Sequence, residues 1–171
     1  MIVIVEGADL VGKSTLAASL ARLHGWPIVK IRWALTGDPE IETRAMAAST
    51  IAILKAARPS LIFDRIYFSW WAYGPVLGHP IAYMPELIQA YEPVEETRVV
   101  VLTASAEELA RRYEQQPDLY FSLDVIQAAN ERFRRLPDVL PRSLARLPLD
   151  TTRNDAASLL AAVERFLSDP R

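Results

Sequence analysis

Gly7-Ala8-Asp9-Leu10-Val11-Gly12-Lys13-Ser14 has the spacing G-x-x-x-x-G-K-[ST] of a phosphate-binding loop. Each part of that pattern has a physical reason. Gly7 and Gly12 let the backbone take conformations that a β-carbon hinders. Successive N–H groups, through Val11 to Thr15, then point into one concavity, and the helix that follows presents its positive end to an anion. Lys13 is expected to reach the terminal phosphates as a compact cation. Ser14 is expected to offer its hydroxyl to Mg²⁺, which takes oxygen ligands. The flanking sequence suits this reading. The β-branched run Ile2-Val3-Ile4-Val5 precedes the loop as a buried strand, and Leu16, Leu20 and Leu23 follow at helical spacing until Gly25. A nucleoside triphosphate, ATP in the first instance, is the expected ligand.

Working outward, strands and helices alternate. Ile28 to Ile31, Leu61-Ile62-Phe63, Arg98 to Leu102 and Ala145 to Leu149 read as further strands. Pro39 opens a helix that runs to about Ala57 and is broken by Pro59. Residues 66 to 91 are aromatic-rich and cut by Pro75, Pro80 and Pro85, which predicts short helices with loops. Ser105 is an N-cap with Glu108 in capping-box spacing, for a helix to about Tyr113. A polar loop over 115–122 leads to a helix ending near Leu136, and Asn154 is read as the cap of a last helix to Leu167. The alternation predicts a three-layer α/β/α P-loop NTPase fold with a mainly parallel five-stranded sheet and a short lid. Functional loops then gather at the carboxyl ends of the strands.

The bulk composition narrows the chemistry. The 171 residues suit one P-loop kinase domain spanning 1–171, and 51% of them are apolar, so burial is not limiting. With no cysteine, disulfides, thiolate metal sites and cysteine nucleophiles are excluded, and His24 and His79 are too few for a histidine-rich metal site. A formal charge of −2 argues against a general nucleic-acid surface, and no stable nucleic-acid complex is expected. Glu6 and Asp9 interrupt the first apolar run, so neither a secretory leader nor a membrane span is expected, and a cytoplasmic location is the default. A homodimer stays open.

Three features choose among nucleotide-binding proteins. Glu6-Gly7-Ala8-Asp9 places carboxylates in and beside the loop. Asp64-Arg65 directly follows the third strand, with Tyr67, Ser69 and Tyr73-Gly74 after it. Arg111-Arg112 lies on the helix after the fourth strand. A carboxylate at a strand end can hold Mg²⁺ or orient an acceptor, so Asp64 joins Ser14 as a metal candidate. Arg65 can grip a phosphate by two parallel hydrogen bonds. Arg111 or Arg112 can supply a cation to the transferring phosphoryl group. Arg32 and Arg44 are further candidate acceptor ligands, and Arg153 can stack on a base beside Thr152. Phe68 and Tyr73 lead the aromatic candidates for gripping the acceptor, ahead of Trp33, Trp70, Trp71 and Tyr83.

On these residues the chain resembles the thymidylate kinases and their deoxynucleoside monophosphate kinase relatives. Ile4 through Thr15 resembles that family's first strand and P-loop. Phe63-Asp64-Arg65-Ile66-Tyr67 through Gly74 resembles its Asp-Arg-Tyr signature, with Ile66 inserted. Leu102 through Arg112 resembles its strand-to-lid helix, and Leu149-Asp150-Thr151-Thr152 its adenine-side loop. The resemblance implies ATP and Mg²⁺ as cofactors, a nucleoside triphosphate donor and a nucleotide acceptor. It also implies that Asp9 lies near the acceptor sugar. Leu10 and Val11 give the loop a bulkier rim than the family pattern, and the 114–121 lid segment has no arginine. The expected reaction is transfer of the ATP γ-phosphoryl group to a (deoxy)nucleoside monophosphate. A hydroxyl acceptor (a nucleoside, a modified DNA base or a small molecule) would instead need a base, with Glu6, Asp9 or Asp64 as candidates. A non-catalytic nucleotide-binding module is the reading from another class. A GTPase switch is disfavoured because no Asn-Lys-x-Asp signature is present.

Overall fold

The computed structural model describes residues 1–30, 39–56, 60–82, 84–89 and 96–169. Arg32, Trp33 and Tyr83 lie outside the described residues. β1 (Ile2–Gly7) is the centre of a five-stranded sheet, and every residue of it is buried. Its neighbours are β3 (Leu61–Asp64) on one side and β4 (Thr97–Thr103) on the other. β2 (Ile28–Lys30) and β5 (Ala145–Asp150) are the edges, giving the order β2-β3-β1-β4-β5. All four pairings are parallel. Parallel strands buried on both faces must be apolar throughout, and the continuous runs Val3-Ile4-Val5 and Val99 to Leu102 meet that requirement with no exposure at all.

Helices cover both faces. α1 (Lys13–His24) packs on β1, β2 and β3 and against α8 (Ala156–Ser168). α3 (Phe68–Val76) and α6 (Leu123–Phe133) pack together and against β1. α2 (Pro39–Ala56), α4 (Met84–Gln89), α5 (Ala106–Gln115) and the single turn α7 (Leu136–Val139) complete the chain. The expected fold is present: a three-layer α/β/α arrangement around a parallel sheet, with every described strand where the apolar runs placed it.

Three local expectations are corrected. The helix expected to end near Leu136 stops at Phe133, because the Arg135–Pro137 segment starts a new turn at α7. The last helix is capped by Asp155, whose carboxylate accepts from the Ser158 amide at 2.7 Å, whereas Asn154 reaches back to the Asp150 carbonyl. At α5 the Ser105 hydroxyl accepts from the Glu108 amide as its spacing predicts, but the capping box stays half-formed. The Ser105 amide is taken by the Thr152 hydroxyl at 2.8 Å, which frees the Glu108 carboxylate for Arg111 and Arg112.

Register then builds the site. Val5 pairs with Asp64, and Gly7 with Leu102, so the ends of β1 and β3 meet at the same edge of the sheet. There the chain reverses away from β1 on both sides, the place where open parallel sheets bind ligands.

Candidate active site

Two glycines set the loop. Gly7 has φ 146°, and a Cβ there would collide with the Leu102 carbonyl of the adjoining strand. Gly12, at φ 92°, starts α1 with no side-chain cap, which leaves the first amides of the helix free of intramolecular side-chain partners at that position. Between them Leu10 has φ 67°, a left-handed conformation that costs a non-glycine residue on the order of 1–2 kcal/mol. Its carbonyl is held by Arg112 Nη1 at 2.8 Å. Arg112 also donates to the Thr151 hydroxyl and carbonyl and to Glu108, so it ties the loop to the end of β5.

The loop forms one wall of a cleft of about 620 Å³. The other wall carries Lys30, Asp64 and Arg65, and the far end is closed by Gln115, Gln116 and Asn154. Two carboxylate clusters face this space. In the first, Asp9 Oδ1 lies 2.6 Å from Arg65 Nη2 and Asp9 Oδ2 accepts from the Tyr73 hydroxyl at 2.7 Å. The Tyr73 oxygen in turn accepts from the Asp9 amide at 2.9 Å. Burial pushes the Asp9 carboxyl up, but Lys13, Arg65 and the Tyr73 hydrogen bond together hold it below its ordinary value. Burial likewise pushes the Tyr73 phenol up. Tyr73 is fully buried, with the Arg65 guanidinium 5.2 Å from its ring centre and Phe121 stacked on it at 5.0 Å.

In the second cluster the Ser14 hydroxyl donates to Asp64 Oδ2 at 2.9 Å. Lys30 Nζ lies 3.1 Å from the same oxygen and donates to Ser14 Oγ at 3.2 Å. Ser14 and Asp64 therefore present two hard oxygens to one point, and that point already holds a positive charge. This donor set fits Mg²⁺, which binds through one or two protein oxygens plus phosphates. Among the described residues no cluster of three or more His, Cys, Asp or Glu is gathered for a metal.

Lys13 is buried beneath the loop, bonded to the Ala8 carbonyl and 3.8 Å from Asp9 Oδ1. Burial, then the charge of Arg65, pushes its ammonium down to about 7. Behind it Glu6 is wholly buried, accepting from the Ile66 amide at 2.9 Å and from the Ser69 hydroxyl. Burial pushes Glu6 up to about 7. Ile66 follows Arg65, whose φ of 73° is the second left-handed non-glycine position. Glu6 and the Arg65 amide bond to the Val5 carbonyl thus pin a strained turn that throws the Arg65 guanidinium toward Asp9.

The structure brings together Asp9, Val11, Gly12, Lys13, Ser14, Thr15, Asp64, Arg65 and Arg112 on the cleft, with Gly7 and Tyr73 directly behind it. Among the described residues, it does not bring Arg44, Phe68, Arg111, Thr152 or Arg153 there. Arg111 is exposed and bonded twice to Glu108, off the cleft wall. Phe68 is entirely buried with its ring edge against Tyr67, because the helix that begins at Phe68 turns that position into the core. Thr152 spends its hydroxyl on the Ser105 amide, and Thr151 lines the cleft in its place. Arg153 is exposed and not on the wall, and Arg44 lies on the exposed side of α2. Sequence reasoning missed Lys30, although it lies near the carboxyl end of the strand predicted over Ile28 to Ile31, the signal that could have found it.

No family model matches the sequence, and no curated protein matches it. Solved structures do match in fold. The YorR protein of Bacillus subtilis, in complex with phosphorylated GDP, superposes with a TM-score of 0.68 at 21% identity over 98% of this chain and 95% of that one. Deoxyadenosine kinase from M. mycoides with bound dATP gives 0.70 at 14% identity, covering 99% of this chain and all of that one. Thymidylate kinase from Candida albicans gives 0.70 at 14% identity, covering 97% and 90%. The fold of this chain is the three-layer α/β/α P-loop fold that those structures share.

Proposed function

We propose that this chain is an ATP-dependent kinase, one domain over 1–171, that transfers a phosphoryl group to a (deoxy)nucleoside monophosphate in the cytoplasm. The observation that carries the reading is the charge arrangement of the cleft. Its two carboxylates, Asp9 and Asp64, are both engaged by cations and hydroxyls. A carboxylate held below its ordinary pKa, as Asp9 is, is a poor general base. Glu6 titrates near neutrality but is buried behind the loop with both oxygens occupied. A hydroxyl acceptor needs a base, whereas a phosphate acceptor needs cations, and Arg65 and Lys30 line the cleft. No helix among the described residues is long and apolar enough to cross a membrane.

In this reading the donor phosphates lie on the amides of the loop and the N-terminus of α1, with Lys13 against them. A bound phosphate would stabilise the Lys13 ammonium that burial destabilises. Ser14 and Asp64 would hold Mg²⁺, which supplies neutralisation of charge on the donor phosphates. Arg65 orients the acceptor phosphate, itself aimed by Asp9 and by the turn that Glu6 pins. Arg112 keeps Leu10 and Thr151 in place, so the rim of the loop does not relax. Catalysis is then positioning and charge stabilisation, with no covalent intermediate.

The fold likeness to a deoxyadenosine kinase equals that to a thymidylate kinase, which keeps a nucleoside hydroxyl as the second reading. ADP release measured with ATP and Mg²⁺ across matched nucleosides and nucleoside monophosphates separates the two. Stimulation by monophosphates is expected. Stimulation by nucleosides alone would select the second reading, and nucleotide binding without acceptor-stimulated turnover would defeat both.

A further inference from the structure

Among the described residues, Lys30 is a cleft cation seated on the two oxygens that suit a divalent ion. It is the last residue of the edge strand β2, and its backbone is fixed opposite Asp64 by the final pair of the β2–β3 ladder. In parallel strands such neighbours project to the same side, so the ammonium is delivered to Asp64 by register. It reaches Asp64 Oδ2 and Ser14 Oγ together, at 3.1 and 3.2 Å, and these are the two oxygens suited to a divalent cation. The exposures of the two partners differ. The Asp64 side chain is 4% exposed and requires a countercharge, whereas the Lys30 side chain is 50% exposed. The carboxylate is fixed and the ammonium is not. The half-exposed ammonium can withdraw into water once another cation neutralises Asp64, so the contact is exchangeable.

We propose that Lys30 is a resident cation of the Ser14–Asp64 pair, which a divalent metal ion displaces. This rests on the reading of the cleft as a metal-dependent kinase site. Lys30 keeps the buried carboxylate neutralised and Ser14 oriented until the metal arrives. A dication on the same two oxygens outweighs a single ammonium charge by Coulomb's law, and the released side chain still lines the cleft. Lys30 therefore acts as a positioning residue that sets how much metal the site demands.

The test uses Mn²⁺ alone as the probe, titrated into the full chain and followed by electron paramagnetic resonance of the free ion. Lys30→Met is expected to bind Mn²⁺ about fivefold more tightly than the wild type, the upper end of what such a pair contributes. Lys30→Arg, which keeps the charge, is expected to stay with the wild type, and Lys30→Met combined with Asp64→Asn to lose the gain. Equal or weaker Mn²⁺ binding by Lys30→Met, or a gain that survives Asp64→Asn, overturns the proposal. Wild-type turnover with monophosphates is measured on the same preparations. Absent turnover with the Mn²⁺ pattern intact sinks the kinase reading alone, and turnover without the pattern sinks this inference alone.

Discussion

The cleft contains two versions of one arrangement, a carboxylate joined to a hydroxyl and a cation, and they differ in the burial of the cation: Asp64 is less exposed than Asp9, at 4% against 25%, but Lys30 is more exposed than Arg65. Asp9 joins Tyr73 and Arg65, with Tyr73 fully buried and the Arg65 side chain 12% exposed. Asp64 joins Ser14 and Lys30, with the lysine half in solvent. The chemistry is the same, but the energetics are not. A buried guanidinium has nowhere else to place its charge, whereas a half-exposed ammonium can move into water and leave its carboxylate to another cation. The first cluster is therefore rigid and suited to aiming Arg65 at a substrate. The second is exchangeable and suited to accepting a new ligand.

Lys13, beside the rigid cluster, carries the largest expected effect. Lys13→Ala should lower turnover by about a thousandfold, the scale of losing a preorganised charge on the transferring group, while thermal unfolding stays cooperative. Undiminished turnover in steady-state assays would remove the phosphate-loop assignment. Asp9→Ala should cost about 3 kcal/mol of stability in denaturant unfolding, because Arg65 loses its carboxylate at 2.6 Å and the Tyr73 hydroxyl its acceptor. A loss no greater than that of Lys30→Met would erase the distinction between the clusters.

Glu6 sharpens the rigid side further through pH. Its carboxyl is raised from 4.5 to about 7, so the folded state binds the proton more tightly. The stability it contributes is complete below pH 4.5 and is lost as pH rises to about 7. That loss is on the order of 2–3 kcal/mol. Glu6→Gln keeps an acceptor for the Ile66 amide and should flatten that part of the stability–pH curve. An unchanged slope between pH 4.5 and 7 in urea titrations would show that Glu6 is not the group responsible. The smallest effect belongs to the exchangeable side: Lys30→Met should change stability by less than about 1 kcal/mol, and less still in high salt.

Strand positions and the phosphate loop were legible because both follow short-range rules. Period, β-branching and Gly-x-x-x-x-Gly-Lys-Ser spacing act within a few residues of chain. Legibility failed where a side chain's role depends on which way a helix turns. α3 buries both Phe68 and Tyr73 completely, and only the Tyr73 hydroxyl reaches Asp9. Arg111 and Arg112 are adjacent, and the same helix puts only the second on the cleft. Thr152 is the expected cleft residue, but a distant amide, that of Ser105, takes its hydroxyl and Thr151 lines the cleft instead.

By itself the sequence determined a parallel α/β sheet, a glycine-bounded loop from β1 into α1, and the carboxylate and arginine that follow the third strand. Those follow from local conformational preference and from burial of apolar runs. Only the tertiary structure decided that Asp9 is spoken for by Arg65 and Tyr73, that Leu10 is held left-handed by Arg112, and that Lys30 stands between Ser14 and Asp64. Each of these joins residues remote in the chain or set by strand register, and electrostatic partnership depends on distance in space, which no spacing in one dimension encodes.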